Sequence, residues 1–333
     1  MTFDFSKVEF EEVNCIICKS KTQQKKLLST KDLLCGMPGS FSIVECQKCG
    51  LVFQNPRPKE KYIGHYYPDD LGYFNIQKNE NEEIDSLTKK VLIDYYKYSN
   101  LGKKNLLRKI ILYPAYYYLY KHRSIPKFRQ NGTILEIGCS NGLALKKLKN
   151  LQWKVKGIEI NKKAADYAKN ERELDVEIGS IFDFNFEPSS FDVIILDMVL
   201  EHIYNPEQAI KKISKWLKKD GQLIFSLPYF YGFEFSVFKE FSHSLHLPAH
   251  ITFFNKNAIA HLLGRFSDIN YVFHHFDRDI VASAEYKYQN NHNWVLKQIA
   301  KNKLLRWTII KPLVFVMSLF KKTSRITVFA TKN

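Results

Sequence analysis

The residues best equipped for chemistry fall into two groups. Cys15-Ile-Ile-Cys18 and Cys46-Gln-Lys-Cys49 are two CxxC pairs separated by residues 19–45. Four thiolates spaced in this way can surround one zinc ion tetrahedrally, each pair forming a tight knuckle, and Gly50 behind the second pair supplies the turn a knuckle needs. The gap is longer than usual, and a ribbon hairpin with a longer tip accommodates it. A lone CxxC would suit thiol–disulfide exchange; two copies favour a structural metal, and four protein ligands close the site to chemistry. Cys35 and Cys139 are assigned to no metal.

The second group is a small-residue turn. Residues 133–142 read TILEIGCSNG: an apolar run carrying Glu136 ends at Gly138, and Cys139, Ser140, Asn141 and Gly142 lead into a helix. Glycine there lets backbone approach a ligand closely, and the helix start offers unpaired N–H groups. The next apolar run ends in Glu159 and Ile160, where a carboxylate can accept the two hydroxyls of a ribose. A dinucleotide site would have G-x-G-x-x-G; Ser140 and Leu143 occupy its third and sixth positions, which disfavours hydride transfer.

These groups need elements to position them, and three zones supply them. Residues 1–75 are loop-rich and hold both cysteine pairs, an amino-terminal zinc-ribbon-like domain. Residues 76–130 read as a helical, tyrosine-rich linker or cap punctuated by Pro114 and Pro126. Residues 131–333 alternate short apolar runs with amphipathic helices, the pattern of a parallel α/β sheet. Strands are expected at Thr133–Ile137, Val155–Ile160, Asp192–Leu196, Gln222–Leu227, Ile269–Phe276 and Arg325–Ala330. Helices are expected at Leu143–Lys149, Lys162–Glu173 and Pro206–Lys218. The last has Asn205 as N-cap, Pro206 at its first position, Gln208 three residues after the cap and Gly221 as its stop.

Glu136-x-Gly138-x-Ser140-x-Gly142 resembles the first motif of the class I S-adenosylmethionine-dependent methyltransferases, E/D-x-G-x-G-x-G, with serine at the middle glycine. The likeness runs on through Glu159 at the ribose-binding acid, through GSIFDF and through FDVIILDMVLEHIYNPEQAIKKISKWLKKDGQLIFSLP. It then takes in LPAHITFFNKNAIAHLL, which is similar to a P-x-H-x-x-x-F region of small-molecule members; altogether it covers about 131–276 and the last strand. It implies a Rossmann-like, seven-stranded, mostly parallel sheet with an antiparallel last strand. It also implies S-adenosylmethionine as cofactor, held by Glu136, Gly138, Cys139, Ser140, Gly142, Glu159 and Ile160. Ser180, Ile181 and Asp183 would bracket adenine, with Asp197 and Met198 at the end of the fourth strand. The cysteine-bearing front of the chain resembles a segment that precedes such domains in bacterial methyltransferases of sugar and surface-glycan pathways.

If the acceptor is a hydroxyl or a carbon acid, a base must take its proton, and histidine suits neutral pH. His202 follows the fourth strand; His246 and His250 lie in the loop after the fifth, which faces the same crevice. His243 shares that loop. The expected function is methyl transfer to a sugar or glycan intermediate in surface polysaccharide biosynthesis. An RNA methyltransferase that grips RNA through its ribbon, or a lipid or quinone methyltransferase at a membrane surface, are the alternatives.

The 333 residues carry 50 Lys+Arg against 34 Asp+Glu, a net charge of +16, with 14% aromatics that exclude a disordered chain. Lysines outnumber arginines 41 to 9, which suits a diffuse field better than bidentate reading of bases or phosphates, so nucleic acid is disfavoured as partner. Two segments mix basic with apolar and aromatic residues, 106–121 and 304–322. Each could rest on an anionic membrane or pack on the domain. The amino terminus shows no secretory pattern, and the paired cysteines fit a reducing compartment, so a cytoplasmic protein is expected, with peripheral contact at the inner face of the membrane as a variant. Nothing in the residues bears on oligomeric state.

Overall fold

The structure is a computed structural model that describes residues 3–21, 24–67, 82–264 and 266–333. The expected boundary between residues 75 and 76 lies outside them. The front of the chain forms β1 (Phe10–Glu11), β2 (Gln24–Thr30), β3 (Phe41–Cys46), β4 (Val52–Gln54) and β5 (Arg57–Pro58). β1 pairs with β5, and β2, β3 and β4 form an antiparallel sheet.

The body is built on β6 (Thr133–Ile137), β7 (Lys154–Glu159), β8 (Val176–Ile178), β9 (Phe191–Asp197) and β10 (Leu217–Pro228), with β11 (Thr252–Phe253), β12 (Phe266–Phe273) and β13 (Arg325–Lys332) following. The main sheet has seven strands in the order β12-β13-β10-β9-β6-β7-β8. β6 to β10 run parallel, and β13 is antiparallel to both β10 and β12. This is the Rossmann-like, seven-stranded methyltransferase sheet that the family resemblance implies. Its central strands read as continuous apolar runs because both faces are covered. Leu135, Ile194, Leu196, Leu223 and Phe225 face the helices Pro206–Trp216 and Lys256–Leu262. Ile134, Val193, Ile195 and Ile224 face Val91, Leu92, Tyr96, Tyr98 and Tyr120, so the tyrosine-rich segment covers a sheet face. Helix Leu106–Ile111 stops at Leu112, and Pro114 sits in the first turn of the next helical stretch over 113–120, so it punctuates the segment as expected.

Three local expectations are adjusted. The helix capped by Asn205, whose Oδ1 accepts the Gln208 N–H at 3.1 Å, ends at Trp216. Leu217 is already paired with Phe191, and the register breaks between Leu217 and Gln222, with Asp220 at φ +58°; Gly221 therefore follows a strand irregularity. Burial of Leu217 in the core outweighs continuation of the helix. β8 is three residues long, too short to show a period. The front sheet, finally, takes a strand from the body: Thr252 and Phe253 pair with Phe53 and Val52. Cys15, Cys46, Leu51 and Phe53 share one hydrophobic core with Leu196, Leu200 and Phe254.

Candidate functional site

The parallel strands β6, β7 and β9 end at one edge of the sheet, and that edge carries the turn singled out in the sequence. Gly138 has φ +73° and Gly142 φ +78°; a Cβ would stand 2.5 Å from Val199 Cγ2 at the first and 2.5 Å from Leu174 Cδ1 at the second. Both positions therefore require glycine for conformation and for space. Ser140, which stands at the middle glycine of the motif, adopts φ +50°, a left-handed conformation that costs an L-residue roughly 1 kcal/mol. Its N–H donates to Glu159 Oε2 at 2.7 Å, and the Asn161 N–H donates to Glu159 Oε1 at 2.8 Å. Two amides thus fix the Glu159 carboxylate, whose oxygens keep lone pairs for further donors. The buried Arg172 guanidinium braces the turn from behind, donating to Asn141 O at 2.6 Å and pairing with Glu82 at 2.9 Å.

Glu136 is buried, and its Oε2 has no hydrogen-bond partner. Burial, then the charges of Asp197 and Glu159, push its pKa up to about 8. Burial also raises Glu159, against the pull of its backbone hydrogen bonds. Asp197 ends β9 with surface exposed to solvent, yet desolvation raises its pKa; together these describe a carboxylate lining a concave recess. Ile160, directly after Glu159, leaves 69% of its surface exposed at the same edge. Three carboxylates around a recess, one of them orphaned, call for a cationic ligand, and an exposed Ile160 beside the ribose acid offers a flat base an apolar platform. The residues therefore fit S-adenosylmethionine.

Other expected cofactor residues sit differently. Cys139 is buried among Leu145, Ala165, Ala168 and Val176, so its side chain packs the helix–sheet interface. Ile181 is in the core, and Ser180 donates its N–H to Asp183 Oδ2 at 2.7 Å, closing a turn of their own. Met198 has φ +57° and donates its N–H to Ser226 O at 3.0 Å.

Beyond β9 and β10 the three histidines do meet. Ring centroids of His202 and His250 are 4.7 Å apart, and those of His246 and His250 4.8 Å. His202 Nδ1 lies 2.8 Å from Ala249 O and 2.9 Å from Tyr67 Oη. A carbonyl only accepts, so Nδ1 carries the proton and Nε2 the lone pair. His250 Nδ1 likewise donates to Ser244 O at 2.9 Å, and its Nε2 stands 3.8 Å from Glu201 Oε1. Glu201 is fully buried with both oxygens unpartnered, and burial pushes its pKa up to about 8. Burial lowers His202 to about 4 and His246 to about 3, and takes His250 well below its ordinary value. All three are neutral imidazoles at physiological pH. Glu201, His202 and His250 offer ligand-type atoms within 4.8 Å of one another and could also take a divalent cation. Tyr67 and Glu201 carry no role in the sequence reading. The only hint of Glu201 is its place in the Leu200-Glu201-His202 triplet, and the Tyr67 contact spans 135 positions.

The four expected metal ligands also converge. Cys15 Sγ is 3.5 Å from Cys49 Sγ and Cys18 Sγ 3.6 Å from Cys46 Sγ, with all four within 4.8 Å. Sulfurs on a tetrahedral zinc at bonds of 2.3 Å stand about 3.8 Å apart, so the donor set fits that ion. Lys19 and Gly50, each just past a pair, adopt φ +58° and +70° and close the knuckles.

Residues 114–266 match a family model described as a methyltransferase domain, and the sheet above has the Rossmann-like topology of such domains. Similar curated proteins include a ubiquinone biosynthesis O-methyltransferase of Pelagibacter ubique, 34% identical over 107 residues, which are 31% of this chain and 44% of that one. Another, from Coxiella burnetii, is 29% identical over 98 residues, 28% of this chain and 42% of the relative. The matches span less than half the length of these relatives. Among solved structures, geranyl diphosphate C-methyltransferase of Streptomyces coelicolor superposes with a TM-score of 0.42 at 12% identity, covering 61% of this chain and 70% of that one.

Proposed function

We propose that the protein transfers a methyl group from S-adenosylmethionine to a hydroxyl of a small molecule, a sugar or glycan intermediate of surface polysaccharide synthesis. The observation that carries this reading is the orphaned, buried Glu136 facing Glu159 and Asp197 at the end of a parallel sheet, with neutral histidines across the recess. The cofactor supplies an electrophilic methyl on a sulfonium. Glu159 would orient the ribose, Asp197 and the ionised form of Glu136 would answer the positive charge, and Ile160 would face the base. His202 takes the acceptor's proton on Nε2, because Ala249 O holds the other ring nitrogen in its protonated form. His250 is held by Ser244 O and packs against the neighbouring ring. The four cysteines bind a structural zinc that keeps β4 in place beside β11.

The sugar class is supported by the resemblance of the cysteine-bearing front and of LPAHITFF. The names of the two curated relatives above, both ubiquinone biosynthesis O-methyltransferases, support a hydroxyl acceptor and favour a phenolic quinone precursor as the second reading. Calorimetry with S-adenosylmethionine, followed by labelled-methyl transfer to nucleotide sugars, to quinone precursors and to RNA, tests these readings. Absence of binding heat in folded protein overturns the methyltransferase function, and preferential labelling of RNA overturns the small-molecule acceptor.

A further inference from the structure

Two stretches outside the recess contain no acidic residue at all. Neither 95–135 nor 286–333 has an Asp or Glu, and together they hold 19 of the 50 basic residues. The rest of the chain has 31 basic against all 34 acidic residues, so the entire positive excess of the protein sits in these two stretches. A general lysine bias would spread charge along the chain and leave acids interspersed. Five of the nineteen answer acids from elsewhere, Arg108 to Asp94, Arg129 to Asp192, Lys301 to Glu285, Arg306 to Asp277 and Arg325 to Asp279. Lys103, Lys104, Lys109, Lys303, Lys321 and Lys322 are exposed.

The same stretches leave large apolar side chains in solvent. Leu106 is 75% exposed, Ile110 64%, Leu304 73%, Trp307 66% and Phe320 72%. The stretches also touch: the ring of Phe315 lies 6.1 Å from Tyr117 and 5.7 Å from Tyr118. Between them is a cavity of about 140 Å³ whose lining includes Tyr117, Lys121, His275, Ser318, Leu319 and Lys321. Lys311 Nζ stands 3.2 Å over the Trp307 ring. No helix among the described residues is long and apolar enough to cross a membrane, so such a face can only lie on a surface. Its place in the fold is specific. Pro228 pairs with Arg325, Ser124 Oγ is 3.2 Å from Ser226 Oγ, and Thr327 Oγ1 donates to His122 O. Both stretches therefore reach the strand edge on which Asp197 and His202 lie.

We propose that this face docks on an anionic lipid bilayer, with its leucines and tryptophan entering the headgroup region and its lysines engaging lipid phosphates. Apolar side chains interleaved with lysine are the composition that binds such an interface. A second copy of the chain is a poor occupant, because a two-fold contact would set two acid-free basic patches against each other. Docking is independent of which acceptor is methylated, and it turns the acceptor side of the recess toward lipid.

Co-sedimentation of the protein with phosphatidylglycerol-containing vesicles and with pure phosphatidylcholine vesicles tests this. The expected result is at least tenfold stronger partition to the anionic vesicles, falling with salt. It should drop tenfold or more in Leu106→Ser/Trp307→Ser and in Lys121→Glu/Lys321→Glu, with S-adenosylhomocysteine binding unchanged. In the unaltered protein, anionic vesicles should blue-shift the emission of exposed Trp307. Equal or absent partition to the two vesicle types, partition unaffected by these variants, or light scattering showing that they split a stable dimer would each overturn it.

Discussion

At the scale of single residues, burial disfavours the charged form of the carboxylates and the histidines alike. Glu136 is the sharpest case: burial keeps it largely protonated near neutrality while its Oε2 has no partner. Replacing it by Gln should weaken S-adenosylmethionine binding by tenfold or more in calorimetry, and more at pH 8.5 than at pH 6, where the carboxylate is already neutral. Glu159→Ala should weaken it further, about a hundredfold, because the change removes the ribose acceptor and frees the amides of Ser140 and Asn161. His202→Ala should lower kcat by roughly 10²–10⁴-fold with cofactor affinity intact. In the unaltered enzyme, burial holds His202 at about 4, so the acid limb of kcat/KM should fall near that value. A limb near 6.5, or a kcat unmoved by His202→Ala, would reassign the base.

At the scale of elements, the cysteine knuckles and the acceptor loop are one construction. Gln54 donates its N–H to Ile251 O at 2.9 Å, Asn255 Nδ2 donates to Cys49 O at 3.1 Å, and Tyr231 donates to Gly50 O. β11 begins two residues after His250. Cys46→Ser should therefore abolish bound zinc in metal analysis and lower kcat several-fold while leaving S-adenosylmethionine affinity close to unchanged, since the proposed cofactor residues sit at the ends of β6, β7 and β9. A variant that keeps its zinc, or that loses cofactor affinity and turnover together, would contradict this coupling. The CxxC spacing made the four-cysteine cluster and its turns legible from the residues. The sharing of the sheet was not legible, because a two-residue strand at Thr252–Phe253 shows no period and has meaning only beside Val52 and Phe53.

At the scale of the whole molecule, buried titratable groups should give the apo protein a stability maximum near pH 6.5. Burial raises Glu136 and Glu201 to about 8. Above their unfolded value the folded state holds protons the unfolded chain has released, and stability falls with rising pH by on the order of 2 kcal/mol per unit up to about pH 8. Burial lowers His122, His202, His246, His250 and His274. Below about 6.5 the unfolded chain takes up protons that the folded state refuses, and stability falls again. Thermal unfolding across pH 5–9 measures this, and a monotonic rise to pH 8.5 would contradict it.

Features governed by near neighbours in the chain were readable from the residues alone. The parallel run of the sheet follows from alternating apolar runs and helices, its count of seven strands from the family resemblance, the tight turn after β6 from glycines at positions that need positive φ, and the four-cysteine cluster from the paired CxxC units. These depend on backbone conformation and periodicity, which short stretches encode. Packing decided the rest. The approach of Tyr67, Glu201, His202 and His250, the burial that shifts their proton affinities, and the gathering of 106–120 with 304–320 into one exposed face come from segments far apart in the chain. Desolvation and surface continuity depend on which segments meet, and that is settled only when the core closes.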